Sequence, residues 1–267
     1  MRYRKGYITL SDDRDVPLLL TIRNARAITY EQVCSLALLE GRESSRRSLH
    51  WRLARLERCE LVQRMTFDRF FSQPIFAITP LGLEFLESRG HCLLSLPATT
   101  KEVVRKSQIL HSVELAGIRA ALASKGILKS WKWELEIVST NLVYESGKTK
   151  DYDALVEVSV NGAAKSFAIE FERTLKGAGR YEDLRRIFSN DQSVDRVLYL
   201  TPNREILYVL AVEMRDVGKQ IGFALSRAFQ TELLDASILT NLPGNEVLSF
   251  RDFLLQGGFR WNKKCNG

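Results

Sequence analysis

The most regular alternation of apolar and polar positions lies in residues 150–173. Two alternating runs, 153–160 and 166–172, flank a short segment that begins Asn161-Gly162, and this pattern predicts a β-hairpin because Asn-Gly accepts the positive φ angles of a tight turn. Side chains alternate between the faces of a strand, so the apolar positions share one face. The opposite face carries the acidic residues Asp153, Glu157, Glu170 and Glu172. Carboxylates this close repel one another, so such a cluster needs a cation or a proton.

Helical periodicity dominates the first third of the chain. An apolar run predicts a helix over Val16–Asn24, and a Thr29/Gln32 capping box starts another that runs to about Leu39. Ser44 or Ser45 caps a third helix ending near Arg58, and a later helix has Thr79 as its cap, Pro80 at its first position and its end near Gly90. A strand pair is predicted between these last two helices, over Leu61–Thr66 and Pro74–Ile78.

The third helix has one apolar and one basic face. Leu49, Leu53 and Leu56 fall within a narrow arc and should face the core. The opposite, basic face suits a groove of DNA, although such a face is also common as solvated surface. The candidate DNA-binding residues are Arg46, Arg47, His50, Trp51, Arg55, Arg58, Arg64 and Arg69.

Strands alternate with helices in the remainder, which predicts an α/β domain with a mixed sheet. Residues 91–101 break the periodicity and predict a linker, so the expected domains are 1–95 and 102–267. Besides the hairpin, we predict helices at 102–124, 180–188, 202–216 and 250–255, and strands at 131–138, 194–201 and 221–225. The other residues after Ile238 are expected to be irregular.

Composition narrows the class of partner. The apolar content of 45% and charged content of 27% are those of a globular protein. The net charge of +7 favours a polyanionic binding partner, of which nucleic acid is the first candidate and a membrane surface the second. The alternative is that the protein is basic and soluble without binding a polyanion. The four cysteines show no metal-ligand or disulfide spacing, no run is long enough for a membrane span, and a reduced cytoplasmic setting fits best.

The first domain resembles the winged helix-turn-helix family over about residues 16–90. The resemblance lies in Leu-Glu-Arg-Cys-Glu-Leu-Val-Gln-Arg (56–64), which is similar to the family's passage from helix to wing, and in Ala-Ile-Thr-Pro-Leu-Gly (77–82), which is similar to the wing exit. It implies that the basic third helix contacts double-stranded DNA. Winged helices also serve as protein-interaction modules, and Trp51 could pack against another domain or subunit.

The second domain resembles the restriction-endonuclease-like PD-(D/E)XK family, with an Asp in one strand and Glu-x-Glu in the next. The resemblance implies that Asp153 and Glu170 are metal ligands and catalytic acids, and that Glu114 is an auxiliary acid. Glu172 stands where the family usually has a lysine, and Arg173, Lys176 and Arg180 are nearby sources of positive charge. The implied cofactor is Mg²⁺, held by Asp153, Glu170 and Glu172.

A resemblance to the replication-relaxation family spans both domains, over most of residues 16–205. Its members are associated with plasmid replication and with DNA relaxation on mobile elements, which implies a DNA-handling role without settling whether bonds are cut. The similar segments are His111–Leu115, Tyr152–Val156, Phe167–Thr174, Arg180-Tyr181 and Val197–Pro202.

Three hypotheses follow from the sequence. The first is a DNA-binding protein of a plasmid or other mobile element, in which the nuclease-like domain supplies a basic surface or the interface of a homodimer. The second is a Mg²⁺-dependent DNA endonuclease, and the third is a protein-interaction adaptor. Replication or mobilisation proteins are further candidate partners. A purely structural alternative is that Glu157, Glu170 and Glu172 form a solvated face paired with Arg173, Arg180 or Arg185.

Overall fold

The computed structural model describes residues 10–66, 72–91, 106–143, 150–215, 217–241 and 246–256. The chain is a mixed α/β protein, and about half of the described residues are helical and about a quarter lie in strands. Its contacts divide it into two compact units, Met1–Ala116 and Gly117–Gly267. The predicted linker lies almost wholly outside the described residues.

The first unit combines helices with a three-stranded antiparallel sheet in the order β1-β3-β2. Strand β1 is only two residues long and was not predicted; it pairs with β3 through Ile28↔Phe76 and Thr29↔Ile75. The elements are α1 (Asp15–Ala25), β1 (Ile28–Thr29), α2 (Tyr30–Leu39), α3 (Arg46–Arg58), β2 (Val62–Met65), β3 (Ile75–Ile78), α4 (Pro80–Ser88) and α5 (Lys106–Ser124). The boundary between the two units, after Ala116, falls within α5.

Side-chain caps fix where these helices begin, as the sequence predicts. The Thr29 hydroxyl accepts the N–H of Gln32, and the Gln32 side chain accepts the N–H of Thr29, which completes the capping box at α2. Ser45 caps α3 and Thr79 caps α4. Each cap satisfies backbone donors that a helix otherwise leaves unpaired.

The second unit is built on a seven-stranded mixed sheet in the order β10-β9-β8-β7-β6-β5-β4. Strands β6, β7 and β8 are parallel, and the other neighbours are antiparallel. The elements after α5 are β4 (Leu128–Trp133), α6 (Glu134–Val143), β5 (Ala154–Val160), β6 (Ala163–Phe171), α7 (Ala178–Asn190), β7 (Arg196–Thr201), α8 (Arg204–Glu213), β8 (Gln220–Leu225), α9 (Ser226–Glu232), β9 (Ser237–Thr240), β10 (Val247–Ser249) and α10 (Phe250–Leu255).

The hairpin β5–β6 is confirmed, and its two faces pack differently. Asn161 and Gly162 take the turn with φ angles of 51° and 80°. On one face Phe167 packs edge-on against Phe250 of α10, with ring centroids 5.1 Å apart. On the other face Ala168 belongs to a buried cluster that contains Tyr181 of α7. The alternation along β6 therefore places Glu170 on the face that α7 covers.

Two predictions for the second unit are wrong. The strand predicted over 131–138 ends at Trp133, and α6 begins at Glu134. The side chain of Glu136 accepts the backbone N–H of Trp133 at 2.9 Å, which satisfies a donor just before α6, and acidic residues in a first turn favour a helix. The stretch from Ile238 also contains β9 and β10 and is not irregular, although its helix at 250–255 is confirmed.

Among the described helices, none has both the length and the apolar character needed to cross a membrane. Cys34 is buried, Cys59 is half-buried, and both are free thiols. Cys92 and Cys265 lie outside the described residues.

Candidate functional site

The outer face of α3 is the first candidate site. Leu49, Leu53 and Leu56 are buried on its inner side, as predicted. This packing directs the opposite side chains into solvent. The exposed residues of α3 are Arg46, Arg47, His50, Trp51, Glu57 and Arg58, of which Glu57 alone is acidic.

Positive charge and aromatic surface are both available on this face. Trp51 is 59% exposed, although tryptophan is highly buried on average. Arg47 and Arg58 form no ion pair with any described residue. The His50 ring meets Tyr30 and Trp51 edge-on, with centroid separations of 6.3 Å and 6.5 Å. Exposed cationic and aromatic groups of this kind can contact phosphates and base edges.

Arg55 does not belong to the exposed face, which corrects its predicted placement. Its guanidinium donates to both carboxylate oxygens of Asp15, at 2.6 Å and 2.7 Å. Asp15 is fully buried at the start of α1, so this charge needs an internal partner. Arg55 is therefore a structural residue.

Arg52 completes the same buried network and was missed by the sequence analysis. It donates to Asp15 at 2.8 Å and also pairs with Glu43. Burial alone would lower the pKa of Arg52, but its hydrogen bonds to Asp15 and Glu43 raise it above its usual value. The sequence does contain a sign of this network: Asp15 directly precedes the apolar run of α1. An acidic residue in that position is consistent with a buried carboxylate that requires cationic partners.

The remaining predicted DNA-binding residues differ in their surroundings. Arg46 is exposed and pairs with Glu31 of α2. Arg64 is exposed on β2, and no described residue forms an ion pair with it. Arg69 lies outside the described residues.

The acidic cluster of the hairpin is the second candidate site. The register that pairs Ala154 with Ile169 places Asp153 opposite Glu170 at the end of the ladder. The Asp153 carboxylate accepts the backbone N–H of Phe171 at 2.7 Å, which anchors it to β6. The structure therefore brings the first two predicted acids to neighbouring positions on one face.

Lysines neutralise two of the acids. Lys150 pairs with Glu170, and Lys176 pairs with Glu172, whose side chain is only 8% exposed. Lys176 was among the basic residues considered from the sequence, but Lys150 was missed because it lies far from Glu170 along the chain. The alternative in which Arg185 pairs with this face is wrong, since Arg185 pairs with Glu213.

The charges of this cluster perturb one another. Burial raises the pKa of Glu170 to about 7; Asp153 adds to the rise, and Lys150 opposes it. Burial also lowers the pKa of Lys176, against the opposing influence of Glu170 and Asp153. The neighbouring Tyr199 of β7 has its pKa raised by burial and by the charges of Glu170 and Asp153. The shifts indicate that these five side chains lie within electrostatic reach of one another.

The donor set does not fit a resident Mg²⁺ as arranged. Carboxylate oxygens suit this ion chemically. However, Glu170 and Glu172 are each already paired with an ammonium group. Within the described ranges, no group of three His, Cys, Asp or Glu side chains could hold a metal ion.

Glu114 lies on the part of α5 that belongs to the first unit, whereas Asp153, Glu170 and Glu172 belong to the second.

A second charged network near the acidic cluster was also missed. The hydroxyl of Tyr152 donates to Asp191 at 2.5 Å, and the ammonium of Lys219 donates to the same carboxylate at 2.9 Å. Burial alone would raise the pKa of Asp191, but hydrogen bonds from Ser193, Tyr152 and Lys219 lower it. This fully paired network fixes Tyr152, whose ring forms part of the surroundings of Lys150.

Comparison with protein-family models, with curated proteins and with solved structures finds no match to this chain. The functional argument therefore depends on the side chains themselves.

Proposed function

We propose that this chain is a DNA-binding protein that acts in the replication, relaxation or mobilisation of a plasmid or other mobile element. The observation that carries the proposal is the outer face of α3, where Arg47, Trp51 and Arg58 are exposed. Exposed guanidinium groups neutralise phosphates, and the released counterions favour binding. This role places the protein in the cytoplasm, with its DNA.

The architecture of the first unit supports a winged helix-turn-helix. Three helices precede the antiparallel pair β2–β3, and β1 completes a small sheet. In this fold α3 is the helix that enters the major groove, and β2–β3 is the wing. The proposal therefore assigns groove contacts to Arg47, His50, Trp51 and Arg58, and a backbone contact to Arg64.

The second unit supports the nuclease-like part of the proposal. The antiparallel hairpin β5–β6 leads through α7 into the parallel strand β7, with Asp153 and Glu170 at one end of the hairpin. The replication-relaxation resemblance links a domain of this kind to a winged helix. We propose that the second unit supports the first in handling DNA, as a basic surface or as the interface of a homodimer.

Duplex binding by the full chain tests the proposal. Replacing both Arg47 and Arg58 by alanine should weaken binding about tenfold or more, because two phosphate-neutralising charges are lost. Fluorescence anisotropy with a labelled duplex measures this change. The matched control is Arg14→Ala/Arg89→Ala, which removes two exposed charges of the first unit that lie outside α3 and the pair β2–β3.

Two outcomes would separate the alternatives. Equal duplex binding by wild type and the Arg47/Arg58 variant would show that α3 does not contact the DNA. No duplex binding by the wild-type protein would favour the protein-interaction adaptor. Loss of binding in the α3 variant with retention in the control supports the proposal.

A Mg²⁺-dependent endonuclease is the second candidate, favoured by the placement of Asp153 opposite Glu170. Its test is nicking of supercoiled DNA in the presence of Mg²⁺. Nicking that disappears in both Asp153→Ala and Glu170→Ala would select the endonuclease. Nicking that persists in both variants would exclude this site as its source.

A further inference from the structure

Helix α8 exposes two large apolar side chains on consecutive turns. Tyr208 is 62% exposed and Val212 is 61% exposed, and their spacing of four residues places them on one face of the helix. The opposite face is buried in the core of the second unit through Ile206, Leu210 and Ala211. Single exposed apolar residues are common on protein surfaces, but two neighbours on one packed helix form an apolar patch without a partner.

Charged side chains of opposite sign stand at the two ends of this patch. Glu205 lies three residues before Tyr208, and Arg215 lies three residues after Val212 and continues the last turn, since its N–H donates to the carbonyl of Val212 at 3.4 Å. Both charged residues are exposed, and neither forms an ion pair with any described residue. Spacings of three, four and three residues are those of positions a and d in paired helices, so these four side chains form one line, the α8 stripe.

The α8 stripe is self-complementary under a two-fold axis. An axis perpendicular to α8 at the level of Leu210 places a second copy of the helix alongside the first in the opposite direction. Tyr208 then lies opposite the partner's Val212, and Glu205 lies opposite the partner's Arg215. Two like charges at the ends of the stripe would meet a matching charge in this arrangement, whereas the observed pair meets an opposite charge at both ends.

We infer that a second copy of this chain binds at the α8 stripe in an antiparallel, two-fold symmetric contact. The inference deepens the proposed function, on which it rests for the choice of a homodimer, and it gives that homodimer a surface. The tyrosines supply apolar contact area, and the charge pairs set the direction of the two helices. One short helix per copy buries less area than a standard stable interface, so the dissociation constant should be roughly 1 to 100 μM.

Sedimentation equilibrium of the full chain without DNA tests the contact. Tyr208→Ser/Val212→Ser removes both apolar side chains from exposed positions and should weaken self-association about tenfold or more. The matched control is Leu142→Ser/Val247→Ser, which removes side chains that are 66% and 65% exposed elsewhere in the second unit and should leave self-association at the wild-type level. A wild type that stays monomeric up to about 1 mM would overturn the inference, as would equal self-association of wild type and the Tyr208/Val212 variant.

Exchanging the charges tests the direction of the helices. Glu205→Arg places an arginine opposite the partner's Arg215 and should weaken self-association, because like charges then meet in the contact. The double variant Glu205→Arg/Arg215→Glu restores opposite charges at both ends of the α8 stripe and should recover most of the lost affinity. A double variant that associates no better than Glu205→Arg alone would contradict the antiparallel arrangement and with it the inference.

Hydroxyl-radical footprinting of the wild-type protein gives a measurement that needs no folded variant. Tyr208 should react more slowly at a protein concentration above the dissociation constant than below it, while the exposed Trp51 of the first unit should react equally at both concentrations. Unchanged reactivity of Tyr208 in a protein that self-associates would place the contact elsewhere and overturn the inference.

All three measurements are made without DNA, so this inference and the proposed DNA-binding function can fail separately. Duplex binding by a monomeric protein would overturn only the contact at the α8 stripe. Self-association through the stripe by a protein that binds no duplex would overturn only the proposed function.

Discussion

Among single residues, Asp15 decides which arginines of α3 are structural. Its carboxylate is fully buried and accepts hydrogen bonds from Arg52 and Arg55. Arg47 and Arg58 lie on the same helix and are exposed. Residue type alone does not separate the two pairs; what separates them is which side of α3 faces a buried negative charge.

We predict that Asp15→Asn lowers the free energy of unfolding by about 1 to 3 kcal/mol, because it removes the only carboxylate among the described residues that pairs with Arg55 and one of the two paired with Arg52. Urea denaturation followed by circular dichroism measures the change. Asp13→Asn is the control, since Asp13 is exposed and its replacement should shift stability by no more than about 0.5 kcal/mol. Similar stabilities for the two variants would show that the network contributes little.

At the level of elements, α4 approaches the start of β2 so closely that only glycine fits at one position. A Cβ atom at Gly82 would lie 2.2 Å from the carbonyl oxygen of Leu61 and 2.8 Å from Cγ1 of Ile78. The first of these atoms belongs to the backbone and cannot rotate away. Gly82 is thus required by packing, although glycine is normally unfavourable within a helix.

Gly82→Ala should therefore destabilise the protein by about 1 to 3 kcal/mol, through overpacking against Leu61. Helix propensity alone would predict an increase in stability for this substitution, since alanine stabilises an exposed helical position by about 1 kcal/mol relative to glycine. Thermal and urea unfolding measure the difference. Glu84→Ala introduces the same side chain at an exposed position of α4 and should be nearly neutral. A Gly82→Ala variant more stable than wild type would contradict the close approach.

Over the whole molecule, the net charge of +7 provides the long-range attraction that the proposed function needs. Charge alone does not determine where a polyanion binds. Several cations are engaged internally: Arg52, Arg55, Lys150, Lys176 and Lys219. The exposed arginines of α3 and β2 are therefore the better candidates for phosphate contacts.

If the proposed function holds, duplex affinity falls steeply as salt rises, because each phosphate contact releases a counterion. Arg64→Ala should reduce the slope of log affinity against log salt concentration by about 1, as expected for one lost phosphate contact. Anisotropy titrations at several salt concentrations measure both slopes. Arg14→Ala, which removes an exposed charge outside α3 and β2–β3, serves as the control. An Arg64→Ala slope equal to that of wild type would show that β2 does not contact the duplex.

Local sequence determined most of the elements of this protein. The capping box of Thr29 and Gln32, the Thr79-Pro80 helix start and the Asn161-Gly162 turn all act over a few residues, so their geometry follows from the sequence itself. The prediction of secondary structure failed where one stretch of sequence suits both a strand and a helix. The alternation from Trp131 onward suits a strand, but the backbone turns into α6 at Glu134.

Tertiary structure alone decided which charges meet. Asp15 and Arg55 are 40 residues apart, and Lys150 and Glu170 are 20 apart, so neither pairing follows from local spacing. The strand alternation placed Asp153 and Glu170 on one face, but it could not show that a lysine covers Glu170. Burying an unpaired charge costs free energy, so a buried charged side chain pairs with an opposite charge that lies close to it in the folded structure. Sequence patterns give only the separation of two residues along the chain, so they do not identify that partner.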